Sequence, residues 1–333
     1  MRYVVTGAAG FIGTNLSIEL SRLGNEVLLI DDLSRVGVVE NAGLLLKNFG
    51  LQISQVDVSR YDEFTKTMTQ FGEFDALIHL AGQVSLLNSI KNPRRDFEVN
   101  ALGSLNILEF VRLNMPKAIV VGMSSNKIYG DLNYIDCIET AKRYTTPNNK
   151  YGFNENLQLD FHGPYGCSKG TQDQYFIDYN RIFGIRTVSF RQSTVYGPYQ
   201  KPVSDQGWIA YFLEEAKKSS LVQLYGKGKQ VRDILYVDDL IDLFLRIPNA
   251  DENAFGRGYN VGGGHENSLS ILELFDEIKR IFNVEVNFAE GVERPGDQKY
   301  FVSDNSLVEK TFGWSPTIGV KQGLSKVWNE IQV

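Results

Sequence analysis

Tyr165 and Lys169 stand four positions apart in the segment Tyr165-Gly166-Cys167-Ser168-Lys169, which can open a helix running on through Tyr175 and Ile177. In a helix that spacing puts both side chains on one face. A tyrosine with a pKa near 10 is a poor base at neutral pH, but a neighbouring ammonium stabilises the phenolate and lowers that value. The pair can then act as general base and acid on a hydroxyl group carried by carbon. A Tyr and a Lys at this spacing also occur on plain surface helices, so their meaning depends on the elements that carry them.

The first of those elements is the stretch Gly7-Ala8-Ala9-Gly10-Phe11-Ile12-Gly13, which follows the apolar strand candidate Arg2 to Thr6. Beyond it Leu16, Leu20 and Leu23 fall on one helical face until Gly24 and Asn25 stop the run. Strand, glycine turn and helix form the context that lets a backbone turn tightly, lets a pyrophosphate approach, and offers it free N–H groups. Asp31 ends the next apolar run, Val27 to Ile30, where a dinucleotide site places the carboxylate that receives ribose hydroxyls. With Asp32 it would repel a 2′-phosphate, which favours NAD over NADP; Arg35 nearby leaves NADP open.

Further strand candidates are Leu51 to Val56, Ala76 to Leu80, Ala118 to Val121 and Thr187 to Phe190, alternating with helix-period segments. That alternation predicts an α/β fold, a Rossmann-like doubly wound parallel sheet. Ligands of such sheets bind beyond the carboxyl ends of the strands. Asp57-Val58, Ala81-Gly82-Gln83, Ser124 to Lys127 and Gln192 to Thr194 should therefore line one crevice, with Asp57 placed to accept from an adenine amino group. The stretch 131–163 is too long for a plain connector and should cover part of the active site. After about residue 195 the alternation loosens, broken by Gly226 to Lys229, Gly262 to Gly264 and Arg294 to Asp297. The expected division is a dinucleotide-binding domain over 1–190 and a smaller C-terminal α/β region over 191–333, some of whose segments return to the large domain.

A net charge of −6 over 333 residues, with no basic run, argues against nucleic acid as a partner. Cys137 and Cys167 form no paired motif and suggest reduced thiols of a cytoplasmic protein. His79, His162 and His265 are too scattered to suggest a metal site, and His79, ending an apolar strand, suits a structural role. No apolar run approaches 18 residues, and a strand starting at residue 2 leaves no room for a leader, so no membrane partner is expected.

Taken together, Gly7-x-x-Gly10-x-x-Gly13, Asp31, Asn100 in Asn100-Ala101-Leu102-Gly103, Ser125 ahead of Ile128-Tyr129-Gly130, Tyr165-x-x-x-Lys169, Val195 to Pro198, Arg232-Asp233 and Arg294 to Asp297 resemble the extended short-chain dehydrogenases/reductases. That family includes the sugar-nucleotide epimerases and dehydratases, and the resemblance covers nearly the whole chain. It implies that Tyr165 is the base, that Lys169 holds the nicotinamide ribose and tunes Tyr165, and that Ser125 hydrogen-bonds the reacting sugar oxygen. It further implies NAD contacts from Gly7, Gly10, Phe11, Ile12, Gly13, Asp31, Asp32, Asp57, Val58, Leu80, Ala81, Gly82 and Asn100, with no metal. A nucleotide-diphosphate sugar would meet Gln83, Ser125, Asn126, Thr194, Gln206 and Trp208, with Arg232 and Arg294 as cations for the diphosphate. The family also implies a homodimer or higher homo-oligomer, packed through a helix after Arg95 and the helix that starts near Tyr165.

The branch is argued from Ser125-Asn126-Lys127. The 4,6-dehydratases resembling this chain carry Thr-Asp-Glu there, because elimination of water needs an acid and a base, and the decarboxylases carry Glu in the last position. Asn126 and Lys127 replace neither, which leaves an epimerase. Thr194 stands where 4-epimerases typically show Asn before Val-Tyr-Gly. The segments Ser125 to Asp131, Gln158 to Gly170, Asp205 to Trp208 and Gly228 to Asp233 resemble epimerases that act at C2 of a CDP-linked sugar, with NAD retained through turnover. The competing expectations are a 4-epimerase of a UDP- or GDP-sugar, a net dehydrogenase that exchanges NAD freely, and a non-catalytic NAD-binding protein. The last would have lost part of the Ser, Tyr and Lys set, which is intact here.

Overall fold

Each βα unit follows from apolar strands too short to bury themselves and helices with one apolar stripe. In the computed structural model, which describes residues 1–201, 206–293 and 296–331, the strands β1 (Arg2–Thr6), β2 (Glu26–Asp31), β3 (Ile53–Gln55), β4 (Ala76–His79), β5 (Ile119–Ser125) and β6 (Thr187–Gln192) lie in one sheet. A later strand, Arg257–Val261, joins the β6 edge. The seven-stranded order runs from that strand through β6, β5, β4, β1 and β2 to β3, every pair parallel. Parallel sheets of this kind are covered on both faces, which explains why β4 and β5 are buried along their whole length. The order reverses beside β1, and the crevice at that switch point is where a doubly wound sheet takes its ligand.

Helix α1 (Phe11–Arg22) packs between the sheet and the C-terminal half, against the helix Val237–Arg246. Helix α2 (Val38–Phe49) and α3 (Tyr61–Phe71) follow β2 and β3, and α4 (Gly103–Asn114) precedes β5. Helix α5 (Gly163–Phe183) lies across β5 and β6 and ends at Gly184, whose left-handed conformation (φ 68°) caps it. It sits close because Gly122 on β5 has no side chain: a Cβ there would meet the Phe176 ring at 2.6 Å.

The C-terminal half builds a smaller sheet around Val231–Tyr236, which pairs with Thr194–Tyr196, Ser268–Ser270 and Tyr300–Phe301. Asp233, from that central strand, is fully buried; its carboxylate accepts from the Gly264 and Ser303 N–H groups, each at 3.1 Å. Its neighbour Gly262 leaves no room for a Cβ, which would fall on the Asp233 carboxylate. Among the described residues no helix is long and apolar enough to cross a membrane, and no three His, Cys, Asp or Glu side chains gather where they could hold a metal.

Candidate active site

The strand ends open into a continuous groove. Its first part, a cavity of about 470 Å³, is lined by Gly7, Gly10, Asp31, Asp32, Asp57, Val58, Leu80, Ala81, Gly82 and Gln83. The glycines explain its shape. Gly7 has φ 71°, and a Cβ on it would lie 2.5 Å from the Ala81 nitrogen; one on Gly13 would lie 2.2 Å from the Gly7 carbonyl oxygen. Both positions therefore need hydrogen for the β1–α1 turn to close. Gly10 differs: a Cβ there would touch only the Gly7 oxygen, at 3.1 Å, so its bareness keeps the cavity open. No side chain caps α1, whose first N–H groups are left as donors beside the same cavity.

Asp31 is buried at the end of β2, where its carboxylate accepts from Ala9 N–H at 3.1 Å and Leu33 N–H at 2.9 Å. Burial raises its pKa, with the two backbone bonds pulling the other way. A long cavity with a bare phosphate turn and a buried carboxylate at the end of β2 is the donor and acceptor set that a dinucleotide requires. Asn100 lies just behind, in a π-turn over Glu98–Leu102, and grips the Gln83 backbone: its Oδ1 accepts from Gln83 N–H at 2.9 Å and its Nδ2 donates to Gln83 O at 3.0 Å.

The second part of the groove, about 320 Å³, takes in Phe11, Ile12 and Gly13 on one side and Ser125, Lys127, Tyr165, Lys169, Thr194, Gln206 and Trp208 on the other. Ser125 ends β5 and Tyr165 stands in the first turn of α5, so helix-on-strand packing brings the two together. Burial pushes the Tyr165 phenol up to about 12, against a hydrogen bond with Ser125 and the positive charge of Arg35, while the Asp96 carboxylate adds to the rise. Lys169 is buried too, and that burial lowers its pKa to about 8 against the attraction of Asp96. Its ammonium donates to Met123 O at 2.7 Å and Gln172 Oε1 at 2.9 Å. The four-residue spacing puts Lys169 one helical turn beyond Tyr165 on α5. Desolvated in this way, the ammonium is held by those two oxygens.

A third pocket, about 130 Å³, continues past Gln206 and Trp208 to Tyr211, Tyr225, Gln230 and Arg232. Arg232 is tied up within the protein, its guanidinium donating to Asp297 at 2.6 Å and to the carbonyls of Gln298 and Val231. Lys127 donates to the same Asp297 oxygen at 3.3 Å. Trp208 Nε1 donates to Thr194 Oγ1 at 3.4 Å.

Three residues expected to meet ligand already hold partners within the protein. Gln83 lines the cofactor cavity rather than the second part of the groove, and its amide nitrogen is spent on Ser85 O and Asp96. Asn126 is buried and donates to Gln298 Oε1 at 2.8 Å, because an unpaired amide at the base of the groove would be costly. Asp57, expected at adenine, has its carboxylate on Ser59 and Arg95. Arg294 lies outside the described residues. His79 is fully buried between Thr6 Oγ1 at 2.7 Å and Ser104 Oγ at 3.0 Å, and burial depresses its pKa to about 3, so it stays neutral. Sequence reasoning missed Arg95, Asp96 and Gln298. Asp96 precedes Asn100 by one helical turn, which was a usable signal; nothing marked Arg95 or Gln298.

Fold and groove together define a dinucleotide-dependent enzyme with a Ser, Tyr and Lys set at the end of the cofactor site. Residues 3–262 match the model of the NAD dependent epimerase/dehydratase family, and the chain belongs to that family, with NAD as its cofactor. Over 99% of its length the chain is 38% identical to CDP-paratose 2-epimerase of Salmonella typhi, covering 98% of that protein. It is 30% identical to a putative UDP-glucose 4-epimerase of Methanocaldococcus jannaschii, over 98% of this chain and 97% of the relative. Among solved structures, the UDP-glucose 4-epimerase of Thermus thermophilus in complex with NAD superposes with a TM-score of 0.82 at 28% identity, over 99% of this chain and 98% of that one.

Proposed function

We propose that this chain is a nucleotide-sugar 2-epimerase that interconverts CDP-paratose and CDP-tyvelose. The observation that carries the epimerase reading is the turn after Ser125, which holds Asn126 on Gln298 and Lys127 on Asp297. A dehydratase needs a carboxyl pair at those two positions, and neither residue can supply one. The 38% identity to CDP-paratose 2-epimerase over 99% of the chain favours C2 and a CDP-sugar over the 4-epimerase relatives.

In this reading the reacting sugar carbon lies between Ser125 and Tyr165. NAD, when bound, supplies reversible two-electron oxidation at C2. Tyr165 takes the proton from the C2 hydroxyl and later returns it to the same oxygen, so the protein ends in the state in which it began. Ser125 donates to that oxygen as charge develops on it. The 2-keto sugar turns so that its other face would meet the cofactor, and reversal of the oxidation on that face, with Tyr165 returning the proton to oxygen, inverts C2. Lys169 holds the nicotinamide ribose, and Arg232, released from Asp297, would meet the diphosphate, with Arg294 as the second cation.

We also propose that the protein works in the cytoplasm as a homodimer or higher homo-oligomer. Exposed apolar side chains on the outer faces of α4 and α5, among them Leu113, Tyr175, Ile182 and Phe183, support a partner surface there. The deciding test incubates the purified protein with CDP-paratose, without added NAD, and follows the products by NMR. Conversion to CDP-tyvelose that Tyr165→Phe abolishes is the expected result. Recovery of unchanged sugar from protein that releases NAD on denaturation would overturn the substrate, and UDP- and GDP-sugars would then be compared.

A further inference from the structure

The cofactor cavity is lined, near the ends of β2 and β3, by one charged side chain that belongs to no motif. Arg95 lies in a short helical turn, Pro93–Phe97, in the segment that follows β4. Its guanidinium reaches over to the ends of β2 and β3: Nη2 lies 3.2 Å from Asp32 Oδ2 and 2.8 Å from Asp57 Oδ2, while Nη1 donates to Ser59 Oγ at 3.1 Å. Glu98 is at 4.0 Å on its own side. Arg95, Asp32 and Asp57 all line the cavity. A planar guanidinium with several fixed donors suits three partners on two other chain segments at once.

We propose that Arg95 is a latch over the adenosine end of the cofactor cavity and that it sets how long NAD stays bound. The inference rests on the proposed function, in which one NAD serves successive turnovers. Such an enzyme gains nothing from fast exchange, because a cofactor lost between oxidation and reduction strands a keto sugar. The glycine turn and Asp31 recognise the dinucleotide from the floor of the cavity. Arg95 instead joins the two walls, tying the segment after β4 to the strands on the far side of β1. Isolated ion pairs at the surface hold little. This one is a network, with side chains 33%, 28% and 22% exposed for Arg95, Asp32 and Asp57, and all three line the cofactor cavity. The neighbouring Arg94 is the natural control: its side chain is 90% exposed and it pairs with Glu98 on the surface.

The test measures NAD release from purified holoenzyme, by exchange against labelled NAD, for wild type, Arg95→Ala, Arg95→Lys and Arg94→Ala. Arg95→Ala is expected to release NAD about tenfold faster or more, since most changes in a binding contact appear in the off-rate. Arg95→Lys, with one point charge in place of a fork, should fall between, and Arg94→Ala should match wild type. Salt should speed release from wild type more than from Arg95→Ala, because the latch is the screened part. Equal release from wild type and Arg95→Ala at equal melting temperature overturns the latch. If Arg95→Ala fails to fold, Arg95→Lys releasing NAD at the wild-type rate overturns it equally. Wild type that epimerises with retained NAD while Arg95→Ala behaves identically removes the latch alone. Wild type that holds no NAD removes the retained-cofactor reading and the latch with it.

Discussion

The two ends of the groove are built by different means. At the cofactor end, consecutive strands of one parallel sheet deliver Gly7, Asp31, Asp57 and Ala81 in sequence order, and the geometry is set by backbone and missing side chains. At the other end, proposed to take the substrate, the turn after β5, the Val231–Tyr236 strand and residues 296–298 are held together by side chains: Asn126 on Gln298, Lys127 and Arg232 on Asp297, Gln298 on the Gly130 carbonyl at 2.7 Å. A site made from backbone is rigid and general to its ligand class. One made from a side-chain network can be re-specified by a few substitutions, which suits a family with one cofactor and many sugars.

Where the two ends meet, Tyr165→Phe should have the largest effect. Removing a positioned base costs turnover by about 10²- to 10⁴-fold, yet the protein should still bind NAD, as measured by cofactor released on denaturation. A full loss of NAD in that variant would mean the two ends are not separable.

Gly13→Ala probes the cofactor end alone. Its Cβ would meet backbone at 2.2 and 2.7 Å, which cannot rotate away, so the fold should lose about 1–3 kcal/mol and the protein should purify with less NAD. Thermal melting and cofactor content report both effects. Gln298→Leu probes the other end. It strips partners from the buried Asn126 amide and Gly130 carbonyl, at about 1–3 kcal/mol for groups left unpaired. The expected signature is a raised KM for the nucleotide sugar with normal NAD content, and a variant that loses NAD instead would break the contrast between the ends.

The smallest effect is one of pH. Burial holds Lys169 at about 8, below the ordinary lysine value, so between about 8 and 10.5 the unfolded chain binds a proton that the folded one does not. This group's contribution to stability therefore grows as pH rises through that window. Tyr165 has the opposite sign: with its pKa raised to about 12, the folded chain keeps a proton that the unfolded one gives up above about 10, and stability falls there. A phenolate absorbance titration of NAD-free protein, wild type minus Tyr165→Phe, should place Tyr165 well above the ordinary tyrosine range. A transition near neutrality would instead show that Lys169 acts on it directly.

Much of the cofactor end was legible because local rules govern it. Apolar runs place β1, β2, β4 and β5 within a few residues, and a glycine needed by a turn is visible as a glycine. Lys169 illustrates the limit: the spacing put it on the face of Tyr165, but the acceptors that hold its ammonium, Met123 O on β5 and Gln172 on its own helix, depend on how α5 is seated.

By itself, then, the sequence determined the doubly wound sheet, the glycine turn with its Asp31, and the presence of Ser125, Tyr165 and Lys169 at its strand ends and on its fifth long helix. These follow from period, turn chemistry and strand order, all of which are short-range. Tertiary structure alone decided which partners the polar side chains take. Asn126 finds Gln298 across 172 residues, Arg232 finds Asp297, and Arg95 finds Asp32 and Asp57. A buried or clefted polar group must satisfy its bonding with whatever the packing brings within about 3 Å, and that neighbour is set by the fold as a whole.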